Sequence, residues 1–159
     1  MRAEPRCQDP PDAIRPMAPS DVSAVTKILQ QSPEAANWSE QRLSVASTSP
    51  GIALVSEREG SLAGFLFARQ IGDEAEILNV GVLPSERRCG VGSALLREAL
   101  NQLRRRGASR VFLEVRESNR KAIAFYNKHG FSETGRRKAY YHKPEEAALL
   151  MEKQLNQKG

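Results

Sequence analysis

The chain has 159 residues, a formal net charge of +5 and two cysteines, Cys7 and Cys89. That length suits one domain with a substantial core, no apolar run approaches a membrane span, and the opening residues lack a secretory leader's apolar stretch. The cysteines are too few and too separated to suggest a zinc site or a disulfide framework. The basic balance suits a polyanionic partner without choosing one, and no aromatic-interleaved RNA-binding pattern accompanies it, so sequence-specific nucleic-acid binding is not expected. A cytoplasmic monomer that needs neither metal nor membrane is the expectation.

Residues 1–12 carry Pro5, Pro10 and Pro11 with little apolar content and read as a loose tail. A single domain over residues 13–156 follows. Ala13 to Met17 reads as a short edge strand limited by Pro16. Ser20-Asp21 can cap a helix bearing Val22, Val25, Ile28 and Leu29. Ser32-Pro33 breaks it, and Ser39 can cap a second helix through Leu43 and Val45. Trp38 stands just before that helix, either as an apolar anchor or as part of a substrate groove. Gly51–Ser56 and Leu62–Ala68 form two strands joined at Glu59-Gly60-Ser61, and Gly72-Asp73-Glu74 turns into a strand at Ile77–Val82, which Pro84 stops.

After that strand, Arg87-Arg88-Cys89-Gly90-Val91-Gly92 feeds a long helix whose apolar positions Val91, Leu95, Ala99 and Leu103 keep helical spacing. The first backbone N–H groups of a helix have no internal partners, and without a Cβ at Gly90 and Gly92 an anionic oxygen can approach them closely. The helix dipole and the charges of Arg87 and Arg88 favour the same anion. The stretch is therefore a phosphate cradle or, more plainly, a tight turn with solvated arginines. Spacing excludes two better-known phosphate loops: the Gly-Lys-Ser/Thr ending is absent, and Leu95 stands where a dinucleotide fingerprint needs its third glycine. Cys89, inside the turn, is a reactive thiolate or a small neutral filler.

Gly107 ends the helix after Arg104, Arg105 and Arg106. Arg110–Val115 is the next strand, expected parallel to the Ile77 strand through the crossover helix. Ser118 or Asn119 caps a helix with Ala122, Ile123, Phe125 and Tyr126, closed by Gly130. Phe131–Thr134 and Ala147–Met151 are the final strands, flanking a basic, tyrosine-bearing loop from Arg136 to Lys143.

Two side chains could carry proton chemistry. Alternation places Glu114 opposite Val111, Leu113 and Val115, where it is either a general base held in a cleft or a surface charge paired with Arg116 or a nearby lysine. Tyr126 shares a helical face with Asn119 and Ile123, and it is either core packing or a proton donor to a leaving group.

The Arg87-x-x-Gly90-x-Gly92 pattern resembles the acyl-CoA-binding motif of the GCN5-related N-acetyltransferase (GNAT) superfamily. The runs Leu113-Glu114-Val115-Arg116-Glu117-Ser118-Asn119 and Ala122 to Phe131 resemble its bacterial ribosomal-protein alanine N-acetyltransferase branch, as do Trp38-Ser39, Asn79 and Arg137 to Tyr141. The resemblance covers roughly Ile14 to Leu155. It implies an α/β GNAT fold: a mixed, mostly antiparallel sheet of six to seven strands, with a splayed parallel pair at its centre and helices on both faces.

It also implies roles. The turn and helix start from Arg87 through Arg88, Cys89, Gly90, Val91, Gly92 and Ser93 would hold the coenzyme A pyrophosphate, and backbone at Val80, Gly81 and Val82 would pair with the pantetheine arm. Asn119 would contact coenzyme A, Glu114 would be the general base and Tyr126 the general acid. Gly81 replaces a usual larger residue, Cys89 a usual polar one, and the loop after Tyr141 looks short, which bears on substrate choice. The implied reaction is acetyl transfer from acetyl-CoA to the N-terminal α-amine of a ribosomal protein. An α-amine of pKa about 7.7–8.0 is partly neutral near pH 7, whereas a lysine at about 10.4 is not, so a modest base suits the former. Acetylation of a lysine, polyamine or small amine, and non-catalytic acyl-CoA or ribosome binding, remain open alternatives.

Overall fold

The computed structural model describes residues 13–32, 35, 38–48, 51–87, 89–142 and 145–155. The expected tail (1–12), Arg88 and Lys143, the end of the expected basic loop, lie outside them. Seven strands form one sheet in the order β1-β2-β3-β4-β5-β7-β6. They are β1 (Ala13–Pro16), β2 (Ile52–Arg58), β3 (Ser61–Ile71), β4 (Glu74–Val82), β5 (Arg110–Arg116), β6 (Ser132–His142) and β7 (Glu145–Gln154), with helices α1 (Val22–Gln30), α2 (Glu40–Thr48), α3 (Val91–Arg105) and α4 (Arg120–Lys128). β4 and β5 pair in parallel, from Glu74↔Arg110 to Glu76↔Phe112, while β1–β2, β2–β3, β5–β7 and β6–β7 are antiparallel. This is the expected mixed sheet. The described residues divide into two compact units, one of those up to Arg69 with Leu78–Gln102, the other of Gln70–Ile77 with those from Leu103 onward.

In the first unit, α1 and α2 contribute Val25, Ile28, Leu29 and Leu43 to a core with Met17, Val55, Phe65 and Phe67. Trp38 belongs to this core. Its ring stacks on Phe67 at 4.9 Å between centroids, and the Arg42 guanidinium lies 3.9 Å over it. The anchor reading of Trp38 is therefore the one realised. Ser39 caps α2 as expected, its hydroxyl accepting from the Arg42 N–H at 3.1 Å. Asp21 does not cap α1 with its side chain. Its carboxylate accepts instead from two Arg15 nitrogens, at 2.7 and 2.9 Å, and from the Ala18 N–H at 2.7 Å. The helix runs through Leu43 and Val45 as expected; Leu43 is buried, whereas Val45 is 57% exposed because it falls off the stripe that Leu43 occupies.

In the second unit, Val111, Leu113 and Val115 of β5 are buried with Ala147, Leu149 and Met151 of β7. α4 ends where Phe131 N–H donates to the Tyr126 carbonyl at 2.9 Å and Gly130 N–H to Asn127 at 3.1 Å, with Gly130 at φ 91°, a conformation that favours glycine. The same pair of bonds closes α3 at Gly107 and Ala108. One expectation fails here. Most of the stretch assigned to a basic loop is strand, since β6 runs on to His142 with irregularities between Glu133/Gly135 and Arg137/Tyr141. Charged side chains on an outer strand face solvent and cost the sheet nothing, so hydrophobic alternation does not mark such a strand.

Candidate active site

The phosphate-cradle geometry belongs to the first unit. β4 ends at Val82, and a short helical turn over Pro84–Glu86 follows. Glu86 pairs with Arg58 of β2 at 2.9 Å, and Arg87 Nε donates to the Val82 carbonyl at 3.3 Å. The chain then reverses into α3, whose first hydrogen bond runs from the Ala94 N–H to the Gly90 carbonyl at 3.0 Å. The N–H groups of Val91, Gly92 and Ser93 therefore precede the helix ladder, as an anion-accepting helix start requires.

Gly90 has φ 80°, and a Cβ built there would meet nothing within 4 Å, so the position demands glycine for its backbone while leaving open space beside it. Gly64 of β3 is a residue the sequence reading passed over. A Cβ there would sit 2.9 Å from the Gly81 carbonyl and 3.0 Å from Val91 Cγ1. Its bareness lets the start of α3 settle against the sheet, and a glycine inside an apolar strand is the signal that could have revealed it. Cys89 is buried at 6% exposure and its sulfur is disulfide-bonded, which corrects the expectation of a thiol. Pairing depends on tertiary approach, which sequence separation does not report.

The proton-handling candidates belong to the second unit. Glu114 lies on β5 opposite Val111, Leu113 and Val115, with its side chain 19% exposed. Its ion-pair partner is not Arg116 but Arg137 of β6, at 3.4 Å from Nη2 to Oε1. Arg116 is drawn instead to Glu146 at 3.0 Å, and Glu146 also accepts from the Ser118 N–H and hydroxyl. These bonds hold the Glu146 carboxyl below its ordinary range, those from Ser118 most strongly.

Ser118 is thus engaged, and Asn119 caps α4, its Oδ1 accepting from the Ala122 N–H at 3.2 Å. Asn119 keeps a side-chain amide that can donate to a ligand. Tyr126 is 9% exposed, edge-on to Phe125 at 5.2 Å and to Phe131 at 5.5 Å. Burial pushes its phenol well above the ordinary 10.0, so the hydroxyl stays protonated at neutral pH.

Within the first unit the structure brings Val80, Gly81 and Val82 and the Arg87–Ser93 turn onto one strand-turn-helix segment, and within the second it places Glu114, Asn119 and Tyr126 on one strand-turn-helix segment. A mixed sheet with one parallel pair, joined by a helix whose start is bared by glycine, is the architecture of an N-acyltransferase. The chain belongs to the acetyltransferase (GNAT) family, whose sequence profile matches residues 22–131.

Among its relatives, the [ribosomal protein bS18]-alanine N-acetyltransferase of Escherichia coli (strain K12) is 33% identical over 130 residues, 82% of this chain and 87% of that protein. The crystal structure of the ribosomal-protein-S18-alanine N-acetyltransferase from Escherichia coli matches with a TM-score of 0.83 and 32% identity, covering 92% of this chain and 96% of that one. The structure of Ard1 from Thermoplasma volcanium matches with a TM-score of 0.83 and 32% identity, covering 91% and 97%. No helix among the described residues is long and apolar enough to cross a membrane.

Proposed function

We propose that this chain transfers the acetyl group of acetyl-CoA to the N-terminal α-amine of a protein that begins with alanine, a ribosomal protein in the first instance. The observation that carries this reading is the family match over residues 22–131, which contains the bare helix start, Glu114 and Tyr126 together. The residues present fit the co-substrate. Arg87 and the N–H groups of Val91, Gly92 and Ser93, beside the space at Gly90, suit a pyrophosphate, and Asn119 retains a donor. The charge of Arg88 and the neighbouring Cys89 are assigned to the same pyrophosphate site, and backbone at Val80, Gly81 and Val82 takes the pantetheine arm. Coenzyme A supplies the acetyl group as a thioester.

The chain's own residues handle the protons. As the neutral amine attacks the thioester carbonyl, Glu114 accepts the proton that the nitrogen sheds, directly or through a water. Backbone N–H groups at Val80 to Val82 stabilise the charge that develops on the carbonyl oxygen. When the carbon–sulfur bond breaks, Tyr126 gives its proton to the departing sulfur, a role for which a phenol kept neutral by burial is suited.

The test is acetyl-CoA consumption with an alanine-starting peptide beside the same peptide carrying a blocked α-amine. Turnover of the free peptide alone, falling about a hundredfold or more in Glu114→Gln, is the expected result. Equal turnover of the two peptides would move the acceptor to a lysine side chain. Acetyl-CoA binding with no turnover on any amine would leave a binding module.

A further inference from the structure

Three arginines and three glutamates around the β5–α4 turn are sorted into definite pairs. Arg116 meets Glu146 at 3.0 Å, Arg136 meets Glu117 at 2.8 Å, and Arg137 meets Glu114 at 3.4 Å. The last pair is the least expected, because β7 lies between β5 and β6 in the sheet. Register explains how it forms. Arg137 is opposite Ala148 on β7, and Ala148 is opposite Arg116 on β5, so the three share a face with Glu114, two residues away along β5. Ala148 is fully buried and presents only a methyl group, which lets a long side chain cross the intervening strand above it. Arg116 is the sequence neighbour that would otherwise take Glu114, and Glu146 occupies it.

Arg137 Nη2 approaches Oε1 of Glu114 at 3.4 Å, from across the intervening strand. We propose that Arg137 is a positioning residue of the reaction: it anchors one oxygen of the Glu114 carboxylate and so leaves the other oriented to accept the amine's proton. The inference rests on the reading of Glu114 as the base. Arg137 itself touches neither the acyl group nor the amine in this scheme. With the Arg137 side chain 55% exposed, the pair contributes little to folding, and its loss leaves the sheet intact. What it restrains is the direction of a carboxylate that could otherwise rotate about its own side-chain bonds, and small misplacements of a catalytic group are costly in rate.

The experiment is a double-mutant cycle on the full chain: wild type, R137Q, R137K, E114Q and R137Q/E114Q. It is run with an acceptor that the wild type acetylates, an alanine-starting peptide under the proposed reading and otherwise a lysine peptide or polyamine. R137Q is expected to lower kcat roughly tenfold, the size of a modest misplacement, with KM for the acceptor changed by less than about twofold. R137K recovers most of the loss. In the E114Q background R137Q adds no further loss, the mark of two residues acting as one unit.

Equal losses in both backgrounds, a loss confined to KM, or no loss at all each overturn the proposal. A second readout is free of turnover. In protein labelled with 13C at glutamate carboxylates, the Glu114 resonance, identified by its absence in E114Q, moves in R137Q and returns in R137K. A resonance indifferent to R137Q also overturns it. A wild type that leaves the peptide unmodified but acetylates a lysine or polyamine puts the failure in the acceptor reading alone. A wild type silent on all amines sinks both.

Discussion

The ring of Phe65 fills the space that a side chain on Gly81 would need: a Cβ there would lie 2.8 Å from Cζ of that ring and closer still to its neighbouring carbon. Phe65 is fully buried and packs against Phe67 at 5.3 Å, so it cannot swing aside without disturbing the core of α1 and α2. A larger residue at 81 and a phenylalanine at 65 are thus alternatives. Gly81→Val is expected to destabilise the chain by about 1–3 kcal/mol through overpacking, and Phe65→Leu in the same chain to recover part of it. Denaturant midpoints of the two single variants and the double variant check the coupling.

Tyr126 gives a prediction with two readouts. Tyr126→Phe keeps the aromatic contacts with Phe125 and Phe131 and removes only the hydroxyl, so kcat should fall about a hundredfold with the melting temperature little changed. The second readout is pH. Burial raises the phenol above its ordinary 10.0, so the folded chain holds this proton where the unfolded chain has lost it. The contribution to stability is fully present below about pH 10 and is lost as pH rises from there. Tyr126→Phe should flatten that alkaline decline in a series of melting curves.

The acid limb has a different owner. The Arg15 guanidinium, with help from the Ala18 N–H, lowers the Asp21 carboxyl below its ordinary 3.8, against a smaller opposing effect of burial. Its contribution is present above that value and is lost as falling pH passes through the lowered one. Asp21→Asn should cost about 1–3 kcal/mol at pH 7, where Arg15 loses its charged partner. It should cost less near pH 2. Chemical unfolding at the two pH values decides, and an equal loss at both would remove the pair from the account.

Gly90→Ala tests the cradle. The added methyl group meets nothing in the protein within 4 Å, but φ 80° is strained for alanine, at about 1–2 kcal/mol. The methyl group would also occupy the space assigned to the pyrophosphate. Coenzyme A affinity by calorimetry should therefore weaken tenfold or more, while a glycine-to-alanine change at Gly72, also at positive φ with nothing near, should leave it alone. Equal affinity in wild type and Gly90→Ala would place the phosphates elsewhere.

Much of this molecule was readable from local rules. Val91, Leu95, Ala99 and Leu103 are each at most 1% exposed, as a 3.6-residue period requires of one face packed on a sheet. Asn119, Ser39, Gly107 and Gly130 mark helix ends because caps answer to chemistry within a few residues. Alternation alone put Glu114 on the less buried side of β5.

What local rules could not decide were pairings across long sequence distance. Whether Glu114 meets Arg116 or Arg137 depends on β7 lying between β5 and β6 and on Ala148 being small. Whether Asp21 caps α1 or holds Arg15 depends on where β1 lies. The length of β6 escaped because its outer residues are charged, and only the ladder with β7 makes them strand. Capping and periodicity are energies of neighbouring residues and are written in the chain. The choice among several arginines for one carboxylate is a matter of distance in space, and only the folded sheet sets it.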